Sequence, residues 1–108
     1  MKVEEIYAKI SQNIVDEIDS SWSVATINSY LGRGCGHFEG RYKGNDDSTD
    51  EQCFDVSFAT FELFEKMHEV TTEGGKNRWN RVKFTLYPDG KFNIDFEWDQ
   101  ALFDEIGI

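Results

Sequence analysis

Apolar positions recur at steps of three and four near the start of the chain. Val3, Ile6, Tyr7, Ile10, Ile14 and Ile18 fall on one side of a helix, and Glu4, Glu5, Lys9, Asp16 and Glu17 keep to the other. The polar cluster Asp19-Ser20-Ser21 predicts the end of that helix. Trp22 to Tyr30 reads as a strand built around Val24, Ala25, Thr26 and Ile27. Leu31-Gly32-Arg33-Gly34-Cys35-Gly36 predicts a flexible turn. From His37 to Lys43 the pattern alternates, with Phe38 and Tyr42 opposed to His37, Glu39, Arg41 and Lys43, as in a half-buried strand.

Gly44 to Gln52 is polar throughout and predicts an exposed loop, followed by a short strand over Cys53 to Val56. A second helix is expected from about Ser57. Its stripe is Phe61, Phe64, Met67 and His68, its acidic face is Glu62, Glu65, Glu69 and Glu73, and Gly74-Gly75 ends it. Two alternating runs around Pro88-Asp89-Gly90 form the clearest hairpin. Val82, Phe84 and Leu86 hide on the way in, and Phe92, Ile94, Phe96 and Trp98 on the way back. Asp99 to Ile106 suits a short terminal helix. The expected fold class is α+β. It is a single domain over residues 1–108 with an antiparallel sheet of four to five strands, two main helices on one face and a short C-terminal helix.

Composition narrows the function classes. Sixteen of the 108 residues are aromatic, enough to build a core. No apolar run approaches the ~18 residues of a membrane-spanning helix. The N-terminus turns acidic at Glu4-Glu5, where a signal peptide needs an apolar run, so a cytoplasmic location is expected. A net charge of -10 argues against nucleic acid and against anionic membranes as partners.

Candidate chemistry is sparse. Gly32-Arg33-Gly34-Cys35-Gly36-His37 lacks the last glycine of a dinucleotide loop and leads from strand to strand, so a turn is the better reading. Asp46, Asp47, Asp50 and Asp55 miss the central glycine and terminal glutamate of a calcium loop. His37 and His68 lack a spaced partner for zinc. His68 reads as a hydrogen-bonded core residue and His37 as a solvent-facing one. Cys35 and Cys53 form no CxxC pair, and nothing marks either as a nucleophile. No cofactor, metal or catalytic residue is expected.

Charge arrangement says more. Between Asp46 and Glu73 stand nine acidic residues and one base, Lys66. From Ile94 onward there are five acids and no base. Such segments form solvated faces or steer a cationic partner.

Three stretches then resemble the YezG-type immunity (antitoxin) family of bacterial polymorphic toxin systems. They are the helix from Glu4-Glu5-Ile6-Tyr7 through Ile18 and Trp22, the segment Phe58-Ala59-Thr60-Phe61-Glu62-Leu63-Phe64, and the hairpin from Trp79-Asn80-Arg81 through Pro88-Asp89-Gly90 to Trp98. The resemblance implies a non-enzymatic inhibitor of the kind used in contact-dependent growth inhibition. It would bind a cognate toxin, expected to be a basic nuclease, and block its active site or its access to substrate. The expected toxin-binding residues are Asp46, Asp47, Asp50 and Glu51 in the loop, with Asp95, Glu97 and Asp99 on and after the last strand. The alternative is an acidic protein-binding adaptor without a toxin partner. The oligomeric state is not legible, although an exposed edge strand offers a pairing surface.

Overall fold

The computed structural model describes residues 2–18, 21–32, 35–44 and 51–106. The first helix, α1, spans Val3–Glu17 and buries Ile6, Ile10 and Ile14. The Lys2 carbonyl accepts from the Glu5 and Ile6 N–H groups, and Glu4 and Glu5 lie in the first turn, where the helix dipole favours them. Complete burial of each isoleucine contributes ~1.5–3 kcal/mol, so this face anchors the helix. The second helix, α2, spans Phe58–Thr71, and Ser57 caps it by accepting from the Thr60 N–H at 3.3 Å. It buries Thr60, Phe64 and Met67 and stops short of the glycines. A 3-10 turn follows at Glu73–Gly75, and positive φ angles of 74° and 79° make glycine the fitting residue at Gly74 and Gly75.

Five strands form one antiparallel sheet: β1 (Trp22–Gly32), β2 (Cys35–Gly44), β3 (Glu51–Phe54), β4 (Arg81–Leu86) and β5 (Phe92–Glu97), in the order β3-β2-β1-β4-β5. The last helix, α3, spans Gln100–Ile106 and buries Leu102. Pairing of β1 with β4 sets Ile27 against Phe84, Ala25 against Leu86 and Ser29 against Val82 in the sheet centre. These residues share the face that α1 and α2 cover. Phe64 meets Phe38 at 5.4 Å and Phe84 at 6.4 Å between ring centroids, while Tyr7 of α1 lies 5.6 Å from Phe92. The antiparallel sheet with two helices on one face and a short C-terminal helix is the architecture expected from the pattern.

Two boundaries and one burial pattern differ from expectation. First, β1 runs through Leu31 to Gly32, and β2 starts at Cys35, which pairs with Gly32. Gly36 therefore joins Gly40, which the expected strand already held, within β2. The physical reason is space. A Cβ on Gly40 would sit 2.8 Å from the Phe54 ring and its carbonyl oxygen, and one on Gly36 would sit 3.3 Å from the Phe61 ring. Secondly, the third strand is Glu51–Phe54 rather than Cys53 to Val56, because Gln52 and Glu51 continue the ladder opposite Tyr42 and Lys43. Thirdly, Phe92 and Phe96 of the return strand stay 45% and 43% exposed, because β5 is the sheet edge.

Candidate functional site

The sheet face turned away from α1 and α2 carries polar and charged side chains from all five strands. Register fixes who sits beside whom. Arg81 lies opposite Glu97 and Lys83 opposite Asp95 on β4 and β5, while Lys43 faces Glu51 and Arg41 faces Cys53 on β2 and β3. Asn28 and Tyr30 of β1 pair with Lys83 and Arg81 on one side and with Glu39 and His37 on the other. The acids and bases of this face thus alternate across the strands and balance one another. A depression of about 580 Å³ runs over it, lined by Tyr30, His37, Glu39, Arg81, Lys83 and Glu97 among others. His37 stacks on Tyr30 at 5.2 Å, which places it on the exposed face as expected.

The expected binding residues fall into separate places. Asp95 and Glu97 are exposed on β5 at one edge of the sheet. Glu51 is exposed on β3 at the other edge, and its carboxylate lies 3.6 Å from Arg41, which also pairs with Glu39. Four strand spacings separate the edges, ~19 Å. Glu51 therefore joins Asp95 and Glu97 only for a partner that lies across the whole face. Asp46, Asp47 and Asp50 lie outside the described residues, and with them most of the calcium-loop pattern.

Asp99 sits elsewhere and is engaged internally. One carboxylate oxygen accepts from the Leu102 N–H at 3.0 Å and so caps α3. The other accepts from Arg81 Nε at 2.8 Å. The Arg81 guanidinium, together with main-chain N–H donors, holds the Asp99 carboxyl below its ordinary pKa. The same corner contains a constellation that pattern reading missed. Asn80 is wholly buried, its Nδ2 donates to the Asp99 carbonyl at 2.8 Å, and its Oδ1 accepts from the Asp99 N–H at 2.7 Å. Its main chain adds bonds to β1 and β5, through the Leu31 N–H and the Glu97 carbonyl. Trp79 beside it donates to Thr71 Oγ1 at 2.8 Å, and its carbonyl lies 3.0 Å from His68 Nε2. His68 is half-buried with its pKa pushed down, chiefly by desolvation. The one available signal was a polar residue wedged between Trp79 and Arg81 just before a strand.

Negative charge in excess lies on the helical side. Glu4, Glu5, Asp16 and Glu17 are exposed on α1, and Glu62, Glu65 and Glu69 on α2, against Lys9 and Lys66. Among the described residues, no three His, Cys, Asp or Glu side chains come together to hold a metal ion. No helix there is long and apolar enough to cross a membrane. Cys53 is exposed on the edge strand β3.

Among the described residues, these features make a charge-balanced sheet face flanked by acidic helices. Nearly the whole chain, residues 3–107, matches the family described as immunity protein YezG-like. The chain belongs to that family. A search of curated proteins found no match. Membership as a YezG-like immunity protein gives the chain an immunity function and a cognate toxin as its partner. Its three matching stretches now have structural meaning. The first two supply the helix layer, and the third is the β4–β5 hairpin with the Trp79-Asn80 corner that ties it to α2, β1 and α3.

Proposed function

We propose that this chain neutralises its toxin by binding it, with no chemistry of its own, and that it does so in the cytoplasm. The observation that carries the reading is the family match over residues 3–107. The net charge of -10 supports a basic partner, such as a nuclease whose substrate site attracts phosphate. The toxin lies across the open sheet face and covers its own active site or substrate path in doing so. Asp95 and Glu97 meet it at one edge. Glu51 meets it at the other, with Asp46, Asp47 and Asp50 of the adjoining segment. Tyr30 and His37 offer a flat, stacked centre between them. The acidic outer faces of α1 and α2 act at longer range, raising the rate of encounter with a cation-rich surface.

The test is association kinetics between the purified chain and its toxin domain. The on-rate falls steeply as salt rises from low to physiological ionic strength. Reversing Asp95 and Glu97 to Lys together weakens binding by roughly tenfold or more while the domain stays folded. An on-rate indifferent to salt refutes steering. An affinity unchanged by the double reversal, and also by reversal of Asp46, Asp47 and Asp50, removes this face from the interface.

A further inference from the structure

We propose that β5 pairs with β5 of a second copy of this chain, joining two five-stranded sheets into one continuous sheet about a twofold axis through Ile94. The inference goes beyond toxin binding and does not depend on it.

The backbone supplies the first reason. Tyr87 N–H donates to the Lys91 carbonyl at 2.9 Å, closing the β4–β5 ladder at its turn end. Hydrogen-bonded pairs alternate in an antiparallel ladder, so Asn93, Asp95 and Glu97 bond inward to Thr85, Lys83 and Arg81. The N–H and C=O groups of Phe92, Ile94 and Phe96 therefore point outward along a six-residue edge. That edge is charged on its open side, at Lys91, Asp95 and Glu97, but among the described residues it lacks other protections. It has no proline and no bulge, and its helix-side row is apolar instead of charged.

The side chains supply the second reason, because β5 is self-complementary in one antiparallel register. Centring the axis on Ile94 puts Ile94 beside its own copy, Phe92 beside Phe96, Asn93 beside Asp95 and Lys91 beside Glu97, each twice. The hydrogen-bonded pairs are then the outward-pointing ones, and the two rows keep their faces. Phe92 and Phe96, 45% and 43% exposed in the single chain, meet across the axis on the helix side. Lys91, whose side chain is 84% exposed and only loosely paired with Asp89 at 3.8 Å, reaches a carboxylate on the open side. Shifting the register by two residues one way sets Asp95 against its own copy, and the other way leaves Phe96 opposite Gly90, so only the Ile94-centred register pairs all three apolar residues of β5 with one another. The other edge strand, β3, is four residues long and has a single apolar inward position, Phe54, so it offers no such match.

The experiment is sedimentation velocity of the full chain from about 1 to 100 µM, at physiological salt, where repulsion between two acidic chains is screened. The expected result is a concentration-dependent shift to a particle of twice the 12.5 kDa chain mass. Ile94→Pro removes an outward N–H without touching the β4 ladder, and the variant sediments as a monomer. Glu97→Lys, on an exposed side chain, weakens association by roughly tenfold, and adding Lys91→Glu restores it. That rescue does not depend on whether the proline variant folds. A monomer at every concentration overturns the proposal. So does a dimer indifferent to both Ile94→Pro and Glu97→Lys, or a double variant no tighter than Glu97→Lys alone.

Discussion

Replacing Asn80 with Ala removes a side chain that bonds both main-chain groups of Asp99. Two hydrogen bonds are lost, of 2.8 and 2.7 Å, at a residue with no exposed surface. Each is worth ~0.5–1.5 kcal/mol net, and a buried group left without a partner costs ~1–3 kcal/mol. The Asp99 carbonyl keeps the Phe103 N–H at 3.1 Å, so only the Asp99 N–H is left without a protein partner, and on a half-buried residue the lower half of that penalty applies. The expected loss is ~2–4 kcal/mol, a large share of the ~5–15 kcal/mol that holds a domain of this size. Urea unfolding at pH 7 measures it, with a fall in Tm of roughly 10–25 °C as the thermal counterpart. Asn93→Ala on the exposed edge is the control and stays within ~0.5 kcal/mol of the parent. The Asn80→Asp variant sharpens the test. It keeps the acceptor for the Asp99 N–H and loses the donor, and burial raises its folded-state pKa above the unfolded value near ~3.9. A carboxyl raised in this way costs nothing below the unfolded pKa and progressively more as pH rises toward the folded one. Its deficit is therefore larger at pH 7 than at pH 4. A loss under ~1 kcal/mol for Asn80→Ala, with an unchanged denaturant slope, refutes the corner's role.

Two further outcomes follow from the packing. Gly40→Ala drives a Cβ to within 2.8 Å of Phe54, ring and carbonyl alike, and destabilises by ~1–3 kcal/mol in urea, with β3 detaching first in hydrogen exchange; no change would mean that Phe54 moves freely. His68 has its folded-state pKa lowered by burial, so its contribution is complete above the unfolded value near ~6.5 and is lost as pH falls toward the folded one. His68→Gln accordingly loses less stability between pH 7 and pH 5 than the parent does, and parallel pH profiles of Tm would contradict the assignment.

The helices were legible because their signal is a period. Ile6, Ile10, Ile14 and Ile18 repeat on one face and all four are buried. The β4 strand was legible for the same reason at period two, with Val82, Phe84 and Leu86 inward. Glycine misled at one position. Gly36 read as part of a turn, yet it lies in β2, where the Phe61 ring occupies the space a side chain would need. No local pattern announces a contact made by a residue more than ten positions away. Phe92 and Phe96 show a different limit. Alternation reveals which way they point but not that β5 ends the sheet, and that depends on strand order.

The charge reading had the same limit. Asp95, Glu97 and Glu51 are acidic in sequence, but register sets bases opposite each of them, and the surplus lies on the helices. Asp99 looked available for a partner, whereas its carboxylate caps α3 and holds Arg81. The Trp79-Asn80 corner escaped notice because one asparagine in a polar stretch has no periodicity to betray burial.

Neutralisation of the toxin by this chain is measured most directly in cells. The cognate toxin domain is expressed with and without this chain, survival is scored, and the tagged chain is used to recover its partner. Survival restored by the parent, with a stoichiometric complex recovered, is the predicted result. Cells that die equally with and without the chain, and a toxin that never co-purifies with it, would contradict the account.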